Sequence, residues 1–263
     1  MISAVLKTAA AAAFSSANLA GAALANPSVW KFEQPTTDFD KSSADFDDIL
    51  SGRPPKEGVL PIDRSRHIEL GEVDEFRDFE IEATEPVVGI AINGGMRAYP
   101  LSILMWHEIV NDELGGVPTS VTFCRLCNAA AVFDPRLDDK VLDFGTSGKL
   151  WHSDLVMYDR QTESLWQQFL SEAIVGKMLG KRLTVLQSRL ESWANFQARA
   201  NDSATILAPT NARLRRYGAN PYNAYESSST PFLYRGEALR TLKEVDVAPL
   251  ARVITVDLSG VGQ

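Results

Sequence analysis

Three features of the sequence predict an α+β fold with a dominant antiparallel β-sheet, partly barrel- or sandwich-like, and a few packed helices. Between residues 119 and 169, short β-rich runs alternate with turn residues. Asn93-Gly94 stands between two apolar runs, a strong hairpin signal. Helical spacing of apolar residues is confined to a stretch after Pro100 and another near residue 188.

Taken in order, the chain opens with a segment whose only charge is Lys7. It is Ala-rich and closes on Ala23-Leu24-Ala25. That pattern predicts a secretory signal peptide over residues 1–25, cleaved after Ala25. Residues 26–60 are polar and interrupted by Pro35, Gly52, Pro54 and Pro55, and read as an arm lying on the surface of a domain. Residues 61–263 read as one globular domain.

Within that domain, 85–100 reads as a hairpin turning at Asn93-Gly94. Residues 100–116 read as a helix. Pro100 suits a first helical position, Ile103, His107 and Val110 form an apolar stripe, and Gly115-Gly116 terminate it. Strands follow at 119–124, 129–134, 140–145, 154–159 and 164–169. Gly145-Thr146-Ser147-Gly148 reads as a flexible turn, and lacks the spacing of a phosphate loop. Ser188 and Glu191 have capping-box spacing, which predicts a helix containing Leu190, Trp193 and Phe196. Residues 217–225 read as a loop.

Charge and hydropathy exclude some partners. The formal net charge is −8 and no basic run interrupts it, which argues against nucleic acid and anionic membrane. After the signal no stretch of 18 apolar residues occurs, so no stable membrane insertion is expected of the processed chain. The expected location is exported, periplasmic or secreted. The small-molecule or protein partner is left open.

Cys124 and Cys127 are the only cysteines, in Phe-Cys-Arg-Leu-Cys. In an oxidising compartment idle thiols are normally oxidised or ligated. Three uses stay open. A structural disulfide would close a very small loop, which the chain-entropy estimate values at about 2 kcal/mol. A thiol–disulfide oxidoreductase normally sets the first thiol at a helix N-terminus, yet Pro135 leaves no room for a long helix after Cys127. A thiophilic metal, copper or zinc, suits two thiolates in a tight turn, but no second C-x-x-C completes a zinc ribbon. Its remaining ligands would come from His67, His107, His152, a carboxylate or Met157. His107 is the leading choice, because it falls on the apolar stripe only a short connection and one strand away from Cys124. The competing reading of His107 is a buried histidine bonded to a carbonyl.

Asp154, Asp159 and Glu163 crowd the next hairpin, beside Arg160. They read either as turn chemistry with surface ion pairs or as candidate catalytic carboxylates of a hydrolase, in a pocket beside the thiols. Ser147 and Ser153 are weaker nucleophile candidates, since no G-x-S-x-G elbow is present.

Four long motifs, in order, are RAYPLSILMWHEIVND (97–112), GGVPTSVTFCRLCNAAAVFD (115–134), DFGTSG (143–148) and SDLVMYDRQTESLWQQFLSEAIVG (153–176). Together they resemble domain-of-unknown-function family 3179, over roughly residues 50–255. The resemblance implies one compact domain and supplies no reaction. It marks the His107 helix, the Cys124/Cys127 pair and the stretch from Ser153 to Trp166 as recurrent family signatures. The expectation is therefore an exported soluble protein with a Cys124/Cys127 site, completed by His107, that binds copper or zinc. The alternatives are a thiol–disulfide oxidoreductase or hydrolase, and a non-catalytic module with a structural disulfide.

Overall fold

The structure is a computed structural model and describes residues 27–75, 80–210, 215–221, 228 and 248. The expected signal peptide lies outside the described residues, as do residues 222–225 of the loop expected over 217–225.

The described chain begins with helix α1 (Pro27–Glu33) and two short strands, β1 (Ile49–Ser51) and β2 (His67–Glu69). The predicted hairpin follows as β3 (Pro86–Ile92) and β4 (Gly95–Pro100). Asn93 and Gly94 both take positive φ, 49° and 83°, as a two-residue turn of primed type needs. Helix α2 (Leu101–His107) leads into β5 (Ile109–Leu114), β6 (Val117–Cys124) and β7 (Ala129–Asp134). A small ribbon comes next, β8 (Arg136–Leu137) and β9 (Lys140–Val141). Then come β10 (Phe144–Trp151), β11 (Asp154–Asp159), β12 (Leu165–Gln167) and β13 (Glu172–Val175). The described elements end with β14 (Thr184–Leu186), β15 (Ser188–Ser192), α3 (Trp193–Arg199) and β16 (Thr205–Leu207).

Besides the β8-β9 ribbon, the described strands form three open sheets, in the orders β1-β10-β11-β12-β13, β14-β7-β6-β5 and β15-β3-β4-β16-β2. Every pair is antiparallel except β16 with β4. Among the described residues no sheet closes into a barrel, and the sandwich-like form of the expectation fits.

Alternation of side chains along β5 and β6 stacks these sheets. Val110, Val121 and Phe123 join one core with Val88, Tyr99, Ile103, Leu104 and Phe196. Ile109 and Cys124 point into a second core with Phe144, Leu155, Met157 and Trp166. The opposite face of β11, through Val156 and Tyr158, meets a third cluster containing Trp30 and Phe39. The middle and first sheets are thus covered on both faces, and β11 is buried along its whole length. Among the described residues no helix is long and apolar enough to cross a membrane.

Residues from the predicted arm supply that outer cover. They also add β1 as an edge strand against β10, in register Ile49↔Trp151. The segment Gly145-Thr146-Ser147-Gly148 is not a free turn. It lies within β10, with a register shift between Thr146 and Lys149. A methyl group at Gly148 would overlap the Pro54 carbonyl oxygen, and one at Gly145 would overlap the Glu57 carboxylate. The glycines are there so that the arm can approach closely. Gly148 also has φ 71°. Gly148→Ala is therefore expected to lower unfolding free energy by roughly 2 kcal/mol or more, read by urea denaturation.

Two expected helices are corrected. The first ends at His107, not at Gly115-Gly116. Glu108 has φ 59°, and the chain reverses into β5. Six residues of β5 pair with β6, and Gly115 and Gly116, both at positive φ, make the hairpin turn. Ladder pairing and a buried Asp112 outweighed a helical stripe only one turn longer than the helix that formed. The second expected helix starts four residues later than its capping-box spacing implied. Ser188–Ser192 pairs with β3, and Ser192 is the N-cap, accepting from the Asn195 N–H at 3.3 Å. Glu191 is ion-paired to Arg199 instead of capping.

Candidate thiol site

The two cysteines bracket the β6–β7 turn. Cys124 is the last residue of β6 and faces Ala129 across the ladder. Cys127 lies just before Asn128, whose φ of 48° turns the chain into β7. The Cα atoms are 5.5 Å apart and the sulfurs lie at disulfide-bonding distance. The Cys127 N–H points at Cys124 Sγ, 3.4 Å away. Cys124 is 2% exposed, whereas Cys127 is only partly buried.

The loop between them is anchored to the end of α2. Arg125 pairs with the Glu108 carboxylate at 2.9 Å and donates to the Met105 carbonyl at 2.8 Å. Burial pushes the Glu108 carboxyl up, and the Arg125 charge opposes that. The Phe123 N–H also donates to the Glu108 carbonyl, at 2.8 Å.

The β10–β11 turn supplies the facing surface. His152 and Ser153 both take positive φ, 52° and 67°, which a two-residue primed turn demands and glycine or asparagine normally meets. Backbone strain of this kind is tolerated where surroundings enforce it. Its result is that the Ser153 carbonyl lies 3.8 Å from Cys124 Sγ and Asp154 Oδ1 lies 2.9 Å from Cys127 Sγ. Asp154 Oδ2 accepts from Gln167 Nε2 at 2.6 Å and from the Phe169 N–H at 3.2 Å. Burial pushes the Asp154 pKa up to about 7, against the pull of those hydrogen bonds.

The donor atoms of Cys124, Cys127 and Asp154 all lie within 4.8 Å of one another. Among the described residues this is the set able to hold a soft cation, and it offers three ligands. His107 is not in it. Its Nδ1 meets the Leu60 carbonyl at 2.7 Å and its Nε2 meets the Tyr217 hydroxyl at 2.6 Å. A carbonyl can only accept, so Nδ1 carries the proton and Nε2 accepts from Tyr217. Burial holds the imidazole below its ordinary pKa and therefore neutral. Both ring nitrogens are engaged in joining α2 to Leu60 and Tyr217. His67 bonds Asp112, and exposed His152 stacks on Trp151.

The three candidate carboxylates do not converge either. Asp154 and Asp159 stand at opposite ends of β11, about 17 Å apart at the usual rise of a strand. Asp159 is fully buried and accepts from the Thr162 N–H, the Thr162 hydroxyl and Trp166 Nε1. It staples the β11–β12 turn. Glu163 receives Lys56, the Thr36 N–H and the Thr36 hydroxyl, and pins residues 36 and 56 to that turn. Ser147 Oγ is donated to the Val156 carbonyl. Paired-carboxylate hydrolysis needs two carboxyl groups flanking one bond, and that arrangement is not made here.

Sequence reasoning missed Gln167 and Phe169. A signal for them existed. The Arg160–Glu163 turn sets the β11–β12 register, in which Val156 faces Gln167, so Asp154 comes to face Phe169.

The chain matches the model of DUF3179, a protein family of unknown function, over residues 57–262, and so belongs to that family. Comparison with curated proteins and with solved structures gave no match.

Proposed function

We propose that this is an exported thiol–disulfide exchange protein, in which Cys124 and Cys127 cycle between disulfide and dithiol and Asp154 accepts the proton of Cys127. The observation that carries the reading is the 2.9 Å approach of a buried carboxyl oxygen to Cys127 Sγ. A carboxyl with a pKa of about 7 is poised to take and return a proton near neutral pH.

Magnitudes favour this over a structural bridge. A bridge across so small a loop contributes about 2 kcal/mol. Keeping Asp154 buried and ionised costs more than that above neutral pH, at about 1.4 kcal/mol for each pH unit its pKa is raised. A bridge gains nothing from such a neighbour, and a thiol that must lose its proton does. Helix-dipole activation is not needed. The Cys127 N–H directed at Cys124 Sγ stabilises negative charge on that sulfur instead.

The exchange balances as follows. The more accessible Cys127 gives its S–H proton to Asp154 Oδ1, and the thiolate attacks one sulfur of a substrate disulfide. That S–S bond breaks, a Cys127–substrate disulfide forms, and the departing thiolate takes the proton from Asp154. Cys124 then passes its proton to Asp154 and attacks Cys127 Sγ. The Cys124–Cys127 disulfide forms, and the second substrate thiolate leaves with that proton. The substrate gains two electrons and two protons, and the protein loses them. The reverse sequence oxidises a substrate dithiol.

Equilibration with dithiothreitol redox buffers tests the reading. The expected reduction potential lies above about −300 mV, the range in which structural disulfides are not typically found. A potential well below that value, with both sulfurs unreactive, would leave the bridge as the answer. Stoichiometric copper or zinc in protein taken from its native compartment would favour the ligand reading.

A further inference from the structure

We propose that Gln167 is a positioning residue of this site, locking the Asp154 carboxyl so that Oδ1 alone faces the sulfur of Cys127. The inference rests on the redox reading above. Gln167 is buried, at 6% exposure, and so is Asp154, at 3%.

The amide can adopt only one orientation. Its Oε1 receives the Leu170 N–H at 2.5 Å, and a backbone N–H can only donate. Nε2 is thereby turned toward Asp154, where it donates to Oδ2 at 2.6 Å. The Phe169 N–H donates to the same oxygen at 3.2 Å. Oδ2 thus has both lone pairs directed at donors, and a proton on it would displace one of them. Oδ1 is left as the oxygen that takes a proton, and it is the one 2.9 Å from Cys127 Sγ. A carboxyl free to rotate would spend part of its time with the wrong oxygen toward the thiol.

Backbone groups share in holding the carboxyl. The groups acting on Asp154 are the N–H groups of Leu155 and Phe169, the Gln167 amide and the sulfurs it faces. The titratable neighbours are Cys124 and Cys127 from the β6–β7 turn and exposed His152 from its own turn. Of the groups that act on the carboxyl, only Gln167 is a side chain whose donor can be removed without touching the backbone or the reacting atoms.

The experiment is peptide-resolved alkylation of the reduced protein by iodoacetamide at pH 7, with melting curves for each variant. Gln167→Met removes the donor. Gln167→Glu keeps an acceptor for Leu170 but presents a second acceptor to Asp154. Both are expected to slow Cys127 alkylation about tenfold, the usual weight of a hydrogen bond to a charged group. A merely structural glutamine would give the opposite result, because a loosened turn exposes the sulfur and speeds alkylation. Should Gln167→Met fail to melt cooperatively, Gln167→Glu decides the matter. Rates at or above the parent value in the folded variants overturn the inference. Asp154→Asn separates the two levels. If it slows Cys127 while both Gln167 variants do not, only the positioning role fails. If it too leaves Cys127 unchanged, the redox reading fails.

Discussion

Asp154→Asn is expected to make the protein more stable above neutral pH and less able to exchange disulfides. The asparagine oxygen can keep the hydrogen bonds from Gln167 and Phe169, while its amide group faces Cys127. Packing is therefore preserved, and what disappears is a carboxyl whose pKa burial has raised from 3.8 to about 7. The raised value means that the folded state holds this proton more tightly than the unfolded chain. Between about pH 4 and pH 7 the folded state binds more protons, so stability falls as pH rises through that window. Above it the cost levels off, on the order of 4 kcal/mol. Urea denaturation of the oxidised protein, in which no thiol titrates, should show a steeper fall over that window in the parent than in the variant, because the variant keeps the contributions of Glu108 and His107 and loses that of Asp154. At pH 8 the variant should be more stable by a few kcal/mol. Exchange at pH 7 should slow by about a hundredfold, the lower end of what a positioned base contributes. Stability without the gain, or exchange without the loss, would mean that Asp154 is not the proton acceptor.

The second large effect concerns Asp112, which organises the other end of the molecule. Its Oδ2 accepts from Arg97 at 2.9 Å, the Tyr99 hydroxyl at 2.8 Å and His67 Nε2 at 3.0 Å. Its Oδ1 accepts from the Ser65 hydroxyl at 2.7 Å and from the Glu113 N–H at 2.8 Å. Burial works against its ionisation, yet the bonds from His67 and Ser65 and the charge of Arg97 hold its pKa well below the usual carboxylate range. Asp112→Ala leaves Arg97, itself 9% exposed, without its counter-charge in the core. Such a loss typically costs about 3–5 kcal/mol. The measurement is urea unfolding at pH 7 with the disulfide intact. A loss under about 1 kcal/mol would mean that solvent reaches Arg97 and screens it as at a surface. Because this cluster is saturated with partners, Asp112→Ala is expected to change the thiol chemistry only through global stability.

Local pattern carried much of this molecule. The strands 129–134 and 154–159 are bounded where alternation and turn residues place them, and Asn93-Gly94 turns the hairpin that its positive φ values permit. The cysteines sit beside strand ends because Pro135 and short β-rich runs leave no space for a helix between them. Asp154 was legible as a chemical residue next to the thiols, but its company was not. Spacing grouped it with Asp159 and Glu163, which are neighbours in sequence and far along a strand in space.

What only tertiary structure decided follows from contacts that sequence distance hides. His107 is buried on α2 as its stripe predicts, but the chain reverses at Glu108, and the imidazole is taken by Leu60 and Tyr217, residues 47 and 110 positions away. The glycines of 145–148 read as freedom and serve close approach, because the fold brings Pro54 onto Gly148, 94 positions away in the chain. The carboxyl beside the sulfur exists because two hairpin turns, 27 residues apart, meet at their tips. Amino-acid type and period set each strand by itself, through sterics and burial of one face. The site needed strands to choose partners, and that choice is made by the packing of whole sheets.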